Sequence, residues 1–261
     1  MKFHADMFMP NKVVSKSTMT AMATIQIVIA LFLWMWLPGA IIPTPSDVLS
    51  AFGDIWGNGF GQEMITSFWL CIQAIFYTAI ISLLISYLTV IPFFRPIGTF
   101  VTKGRFLGLT GFTFIFTLIA SSGHQLKLLL LVFGMSVFFV TSMLAVIETI
   151  PKSEFDYART LRMSEWRVVW EVVILGRMSE AIDVMKQNFA MGWIMLTMVE
   201  GIVRSEGGVG KFLLDSNKHF ALAEIFAIQI TIFILGLVID YAIGMFNRVI
   251  CPYAFLSRER A

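Results

Sequence analysis

Residues 154–175, EFDYARTLRMSEWRVVWEVVIL, form a charged, helix-patterned stretch between two long apolar runs. Its charges are Glu154, Asp156, Arg159, Arg162, Glu165, Arg167 and Glu171. A charge at the centre of a bilayer costs at least about 3 kcal/mol, so this stretch needs water or a partner. Phe155, Ala158, Leu161, Trp166, Val169 and Trp170 recur close to a helical stripe. The pattern predicts an amphipathic helix on the aqueous side, with an apolar edge for another protein or for the lipid headgroup region.

The apolar runs on either side set the class. Of 261 residues, 57% are hydrophobic and 14% charged, whereas a soluble domain carries about 25% charged residues. The composition is that of an all-α polytopic membrane protein. A net charge of +2 without a basic run gives no reason to expect nucleic acid as a partner. Cys71 lies inside an apolar run and Cys251 near the C-terminus, which is no disulfide framework. Trp34 and Trp36 close the first apolar run without a small-residue cleavage site, so that run reads as an uncleaved anchor.

A spanning helix needs about 20 mainly apolar residues. Six runs are candidates: 18–38, 66–91, 105–122, 127–148, 184–203 and 221–246. The third is short and polar at its end. The connector 38–65 has no Lys or Arg. Basic residues gather instead at Lys2, Lys12 and Lys16; at Arg95, Lys103 and Arg105; through the loop at about 149–183 and on to Lys186; and at Arg248, Arg258 and Arg260. Fifteen of the 19 basic residues thus fall on one side, leaving Lys127, Arg204, Lys211 and Lys218 on the other. The positive-inside rule then puts both termini and the amphipathic loop in the cytoplasm. No second domain or internal repeat interrupts residues 1–261, so the chain reads as one transmembrane domain.

Several stretches together resemble a family. Asp156-Tyr157-Ala158, then Arg162, then Val172-Val173-Ile174-Leu175 follow the spacing of the cytoplasmic loop of bacterial ABC importer permeases, Glu-Ala-Ala, Gly and Ile-x-Leu-Pro. IIPTPSDVLSAF (41–52), FVTSMLAVIETIPKSEFDYARTL (139–161) and MVEGIVRSEGGVGKFLLDSNKHF (198–220) are similar, in order, to segments of the nitrate, sulfonate and taurine-type permeases. The resemblance covers about residues 40–250. It implies a six-span permease subunit of the bacterial inner membrane, forming the path for a small solute such as an oxyanion or small organic anion. It also implies a second permease subunit, separate ATP-binding cassette subunits and an extracytoplasmic solute-binding protein. Asp156, Ala158, Arg159, Leu161, Arg162 and Trp166 would couple to the ATPase. Arg162 stands where the family has Gly, Leu175 where it has Pro, and Ser179 where a second Pro is common. Arg is a better helix former than Gly by roughly 0.8 kcal/mol, which predicts a helix running through 162 without a break. The third span lacks the family's proline-rich character there. A non-transporting scaffold or regulator that keeps the docking helix is the alternative.

Other motifs are weaker. Gly207-Gly208-Val209-Gly210-Lys211 resembles a phosphate loop, but Ser205 and Phe212 stand where that motif needs Gly and Ser or Thr. A glycine turn opening a short helix is the better reading, and ATP hydrolysis is expected in another chain. His4, His124 and His219 are far apart in sequence and suggest no metal site. No catalytic residue and no cofactor is expected. Polar residues inside the apolar runs must find a partner or line a wet path. Among them Gln73, Thr117, Gln187 and Glu200 are candidates for the path, with interhelical hydrogen bonding as the alternative role. For Glu200 a pairing with Arg204, one turn on, is the structural option. Ser82 and Ser86 are spaced for close helix contact.

The charge asymmetry makes a direct prediction. A single cysteine at Ser46 should react with an impermeant thiol reagent in intact cells, and one at Ser164 only after permeabilisation. The reverse pattern would invert the topology.

Overall fold

The computed structural model describes residues 15–36 and 42–252. Lys2, Lys12, Arg258, Arg260 and both chain ends lie outside the described residues, as do residues 37–41, the first two of which end the first predicted span. Every regular element among the described residues is helical. The long helices are α1 (Lys16–Trp36), α3 (Phe60–Leu88), α6 (Gly123–Glu148), α9 (Met178–Ile202) and α11 (Leu222–Ile250). Between them run α2 (Pro45–Gly57), α4 (Arg95–Lys103), α5 (Leu109–Ile119), α7 (Lys152–Thr160), α8 (Glu165–Val168) and α10 (Val209–Lys218).

Four helices are long and apolar enough to cross a membrane: Ser17–Trp36, Phe60–Leu88, Gly123–Glu148 and Leu222–Ile250. The helix expected over 184–203 is α9. It is long enough at 25 residues, but Glu180, Asp183, Lys186 and Glu200 make it less apolar than the other four. The span predicted at 105–122 is different. Only Leu109–Ile119 is helical there, 11 residues, which reach about 16 Å against a hydrocarbon thickness of about 30 Å. Gly104 and Gly108 precede it, and an extended Leu107 and Gly108 separate α5 from the turn at 104–106. Helix α4 fills the remaining length. Gly98 lies against Leu144, Gly104 against Val137 and Leu109 against Gly134. The Phe112 and Phe133 rings are centred 4.4 Å apart. So α4 and then α5 run one after the other along α6, antiparallel to it.

The core joins α3, α6, α9 and α11. Leu70, Cys71 and Ala74 meet Leu130, Leu131 and Met135, with Phe189, Trp193 and Leu196 beside Ala227, Ile228 and Ile232. With no hydrophobic drive between helices in lipid, close approach through small residues has to supply the packing. A side chain on Gly192 would come within 2.6 Å of Met135, and one on Gly134 within 3.1 Å of Met195. Ser82 and Ser86 are both buried, and the Ser82 hydroxyl faces the Ser136 carbonyl at 3.5 Å. Asn188 donates to the Met135 carbonyl at 3.3 Å, which ties α9 to α6. Lys186 and Asp240 pair at 3.0 Å between α9 and α11. Helix α1 stands apart, with side chains such as Ile25, Ile29 and Phe32 exposed. It touches the bundle through Trp34, whose indole donates to the Pro43 carbonyl at 3.1 Å and stacks near Phe226.

Helix α2 starts at a capping box. The Thr44 hydroxyl accepts from the Asp47 amide, and the Asp47 carboxylate accepts from the Thr44 amide at 3.0 Å. Both bonds satisfy donors that a helix start leaves open. The Thr44 hydroxyl and amide hold the Asp47 carboxyl below its ordinary value. Val48, Ala51 and Ile55 form the buried face of α2.

Candidate functional site

Two arrangements stand out. The first surrounds Glu200, which is completely buried in α9. Its carboxylate accepts from the Ser67 hydroxyl at 2.6 Å and from the Gly210 amide at 2.8 Å. The Ser67 hydroxyl also accepts from the Val209 amide at 2.9 Å. The Gly208 amide donates to the Glu63 carboxylate. Lys127, also buried, donates to the Gly207 carbonyl at 2.7 Å and stands in electrostatic reach of Glu200, Glu206 and Glu63. One knot therefore holds α3, α6, α9 and the start of α10.

The glycines make this possible. Gly207 and Gly208 have φ of 73° and 108°. A Cβ on Gly208 would stand 2.3 Å from the Glu200 carboxylate, and one on Gly210 2.1 Å from the Thr197 carbonyl. The run is a glycine turn that opens α10, as its sequence suggests. Its consecutive amides form a concave anion cradle of the kind phosphate uses. Here Glu63, Ser67 and Glu200 already occupy it. The pairing of Glu200 with Arg204 is not made; Arg204 instead binds the Asp215 carboxylate. Glu63, Ser67 and Lys127 were not singled out in the sequence. The signal was present in Lys127, a lone cation at the head of an apolar run.

The four path candidates are not brought together. Gln73 bonds to His124 at 3.0 Å. Thr117 turns back on the Thr113 carbonyl of its own helix at 2.6 Å. Gln187 is exposed. Glu200 sits in the knot just described.

The second arrangement is the charged stretch. Its predicted unbroken helix is corrected: α7 stops at Thr160, and Arg162 has a left-handed φ of 56°. The Arg162 amide donates to the Arg159 carbonyl at 2.9 Å, and the Met163 amide to the Ala158 carbonyl at 3.4 Å. This pair of bonds satisfies carbonyls that the helix end would leave open. The chain then re-enters a helix at Glu165, which continues from Val169 to Leu175 as a wider π-helical segment. Ala158 before the turn and Val168 and Val173 after it are each buried. A fork across the turn braces it. Arg159 reaches the two Glu165 oxygens at 2.9 and 3.1 Å and Asp156 at 3.3 Å. Hydrogen bonding from Arg159 holds the Glu165 carboxyl below its ordinary value. Arg177 links the element to α9 through Glu154 at 2.7 Å and Glu180 at 3.4 Å.

Two apolar recesses flank this helix pair. One, of about 360 Å³, is lined by Tyr157, Ala158, Leu161, Met163, Val172 and Gly176 among others. Tyr157 is 68% exposed and Leu161 55%. The other, also about 360 Å³, sets Trp166 and Trp170 beside Tyr87, Leu88 and Ile91 at the end of α3. Trp166, 74% exposed, thus belongs to a different surface from Leu161. No protein-family model matches the chain, and no curated protein matches it.

Two substitutions test these geometries by thermal unfolding in detergent. Glu200→Ala leaves the Ser67 hydroxyl and the Gly210 amide without their acceptor, and should cost about 1–3 kcal/mol for each. Unchanged stability would show that the knot holds nothing. Arg162→Gly removes a left-handed strain of roughly 1–2 kcal/mol and should stabilise the chain by about 1 kcal/mol after the entropy cost of Gly. A loss of stability would mean that the Arg162 side chain matters more than its backbone.

Proposed function

We propose that the chain is the membrane-spanning permease subunit of an ATP-driven ABC importer in the bacterial inner membrane. The observation that carries this reading is the left-handed Arg162 between α7 and α8. The loop that this stretch resembles has Gly at that position, and glycine is the residue that takes such a conformation without strain. The local shape fits the resemblance even though the residue departs from it.

In this reading α1, α3, α4 together with α5, α6, α9 and α11 make six crossings, with both termini in the cytoplasm. The helix–turn–helix at 152–175 docks into a separate ATP-binding cassette subunit. Tyr157 and Leu161 supply the apolar contact, with Asp156, Ala158, Arg159 and Arg162 around the turn. Trp166, beside Tyr87 and Leu88, anchors the pair at the membrane surface, where aromatic rings are favoured. The Arg159–Glu165 fork and the Arg177 bridges make the element stiff enough to pass a displacement into α9. One coupling element per chain calls for a second permease subunit, and a solute-binding protein delivers the solute, an oxyanion or small organic anion, from outside. The chain performs no bond-making step; it moves, and the ATPases supply the energy.

The scaffold reading draws on one observation, the dispersal of Gln73, Thr117, Gln187 and Glu200. Solute uptake by vesicles containing the full assembly separates the two, since a scaffold binds ATPase without transport.

Leu161→Glu tests the docking. Removing an apolar anchor from an interface centre costs about 2 kcal/mol or more, so ATPase co-purification and stimulated ATP turnover should both fall while membrane insertion is unchanged. Wild-type association in Leu161→Glu and Tyr157→Glu alike would remove the coupling role.

A further inference from the structure

A cavity of about 490 Å³ opens where the charged helix pair meets the bundle, a size that suits a small molecule. The end of α3, the start of α4 and the end of α6 enclose it, together with Phe155 of α7 and Val173 of the π-helical segment. Its lining carries two charges, Arg95 and Glu148. Apart from two threonines, the rest of the lining is apolar. The place is an aqueous end of the bundle: Arg95 is the first residue of α4 and Glu148 the last of α6. Both are exposed.

Neither charge is answered by the fold. Among the described residues neither side chain has a hydrogen-bond or ion-pair partner, although the two share one cavity. Each also stands at the unfavourable end of its helix. A helix start carries partial positive charge and a helix end partial negative charge. Arg95 adds a cation to the start of α4, and Glu148 an anion to the end of α6. Helix stability therefore explains neither position. One molecule carrying both signs would satisfy the two side chains and the two helix ends together.

We infer that this cavity binds a zwitterionic α-amino acid with an apolar side chain. Its carboxylate meets Arg95 and the start of α4, where a guanidinium can grip both oxygens. Its ammonium meets Glu148 at the end of α6. Its side chain lies against Leu144, Ile147, Phe155 and Val173, which line the same space. A simple anion would leave Glu148 unanswered and be repelled by it, and a simple cation would meet the same difficulty at Arg95. A charged side chain would find no third charge in the lining. The bound molecule touches α4, α6 and the helix pair at once, so occupancy ties the helix pair to the bundle. This inference rests on the cavity and does not depend on the importer reading.

The full chain in detergent is dialysed to equilibrium against radiolabelled leucine. Leucinamide, which lacks the carboxylate, and isocaproate, which lacks the amine, serve as competitors. One leucine per chain should bind saturably. Each analogue should compete at least about tenfold less well than unlabelled leucine, because each loses a hydrogen bond to a charged group. Arg95→Gln and Glu148→Gln, both at exposed positions, should each weaken leucine binding by a similar factor while thermal unfolding is unchanged. The analogues are tested on the unaltered chain, so they decide the matter even where a variant folds poorly. Absence of saturable leucine binding would overturn the inference. Equal competition by both analogues, with both variants unaffected, would mean partition into an apolar recess and would also overturn it. So would absent binding joined to a loss of stability in each variant, which would show the two side chains pairing with each other in solution.

Discussion

A carboxylate removed from water must be answered by donors, and in this chain that requirement organises the end of the bundle where α9 finishes. Glu200 is held by a serine from α3 and a backbone amide from the start of α10, with Lys127 of α6 close by. The individual bonds are ordinary in length. Their effect comes from where they end, on four separate elements, of which only α9 and α10 are neighbours in sequence. Lipid offers no alternative partner, so any relative sliding of α3, α6 and α9 would strand a charge. The knot therefore fixes the helix register, and the apolar contacts of the core, Met135 against Gly192 and Met195 against Gly134, fill in at that register.

The opposite end of α9 has the contrary character. There the chain is joined to a charged, solvent-facing helix pair through Arg177, and the links are surface ion pairs that individually contribute about 0–1 kcal/mol. Their geometry matters more than their energy. A two-pronged Arg159–Glu165 contact across a left-handed turn permits few alternative arrangements of α7 and α8. A helix pinned by a buried charge at one end and braced to a surface element at the other is suited to carry movement along its length. That property makes the importer reading mechanical as well as formal.

Much of the architecture was legible in the sequence. The runs that became α1, α3, α6 and α11 are long and apolar, and length with composition is nearly sufficient in lipid, where only a helix satisfies its own backbone. The glycine turn before α10 and the charged character of 154–175 were legible for the same local reason. Glu200 was recognisable as a buried acid because it interrupts an apolar run.

What the sequence could not determine were the partners and the interruptions. Glu200 was expected beside Arg204, its neighbour along the helix, yet Arg204 turned to Asp215 and Glu200 found Ser67, 133 residues away. The helix was expected to continue through Arg162, yet the chain turns there at a left-handed φ, closed by bonds to the Arg159 and Ala158 carbonyls, and a propensity difference of under about 1 kcal/mol is too small to prevent it. The third apolar run was expected to span, yet only 11 of its residues are helical, and α4 takes the other half of α6. Local pattern determined which segments are helical and apolar, because backbone satisfaction and hydropathy act over a few turns. Tertiary structure alone decided where helices break and which buried charge meets which donor, because those choices depend on surfaces that come together only after folding.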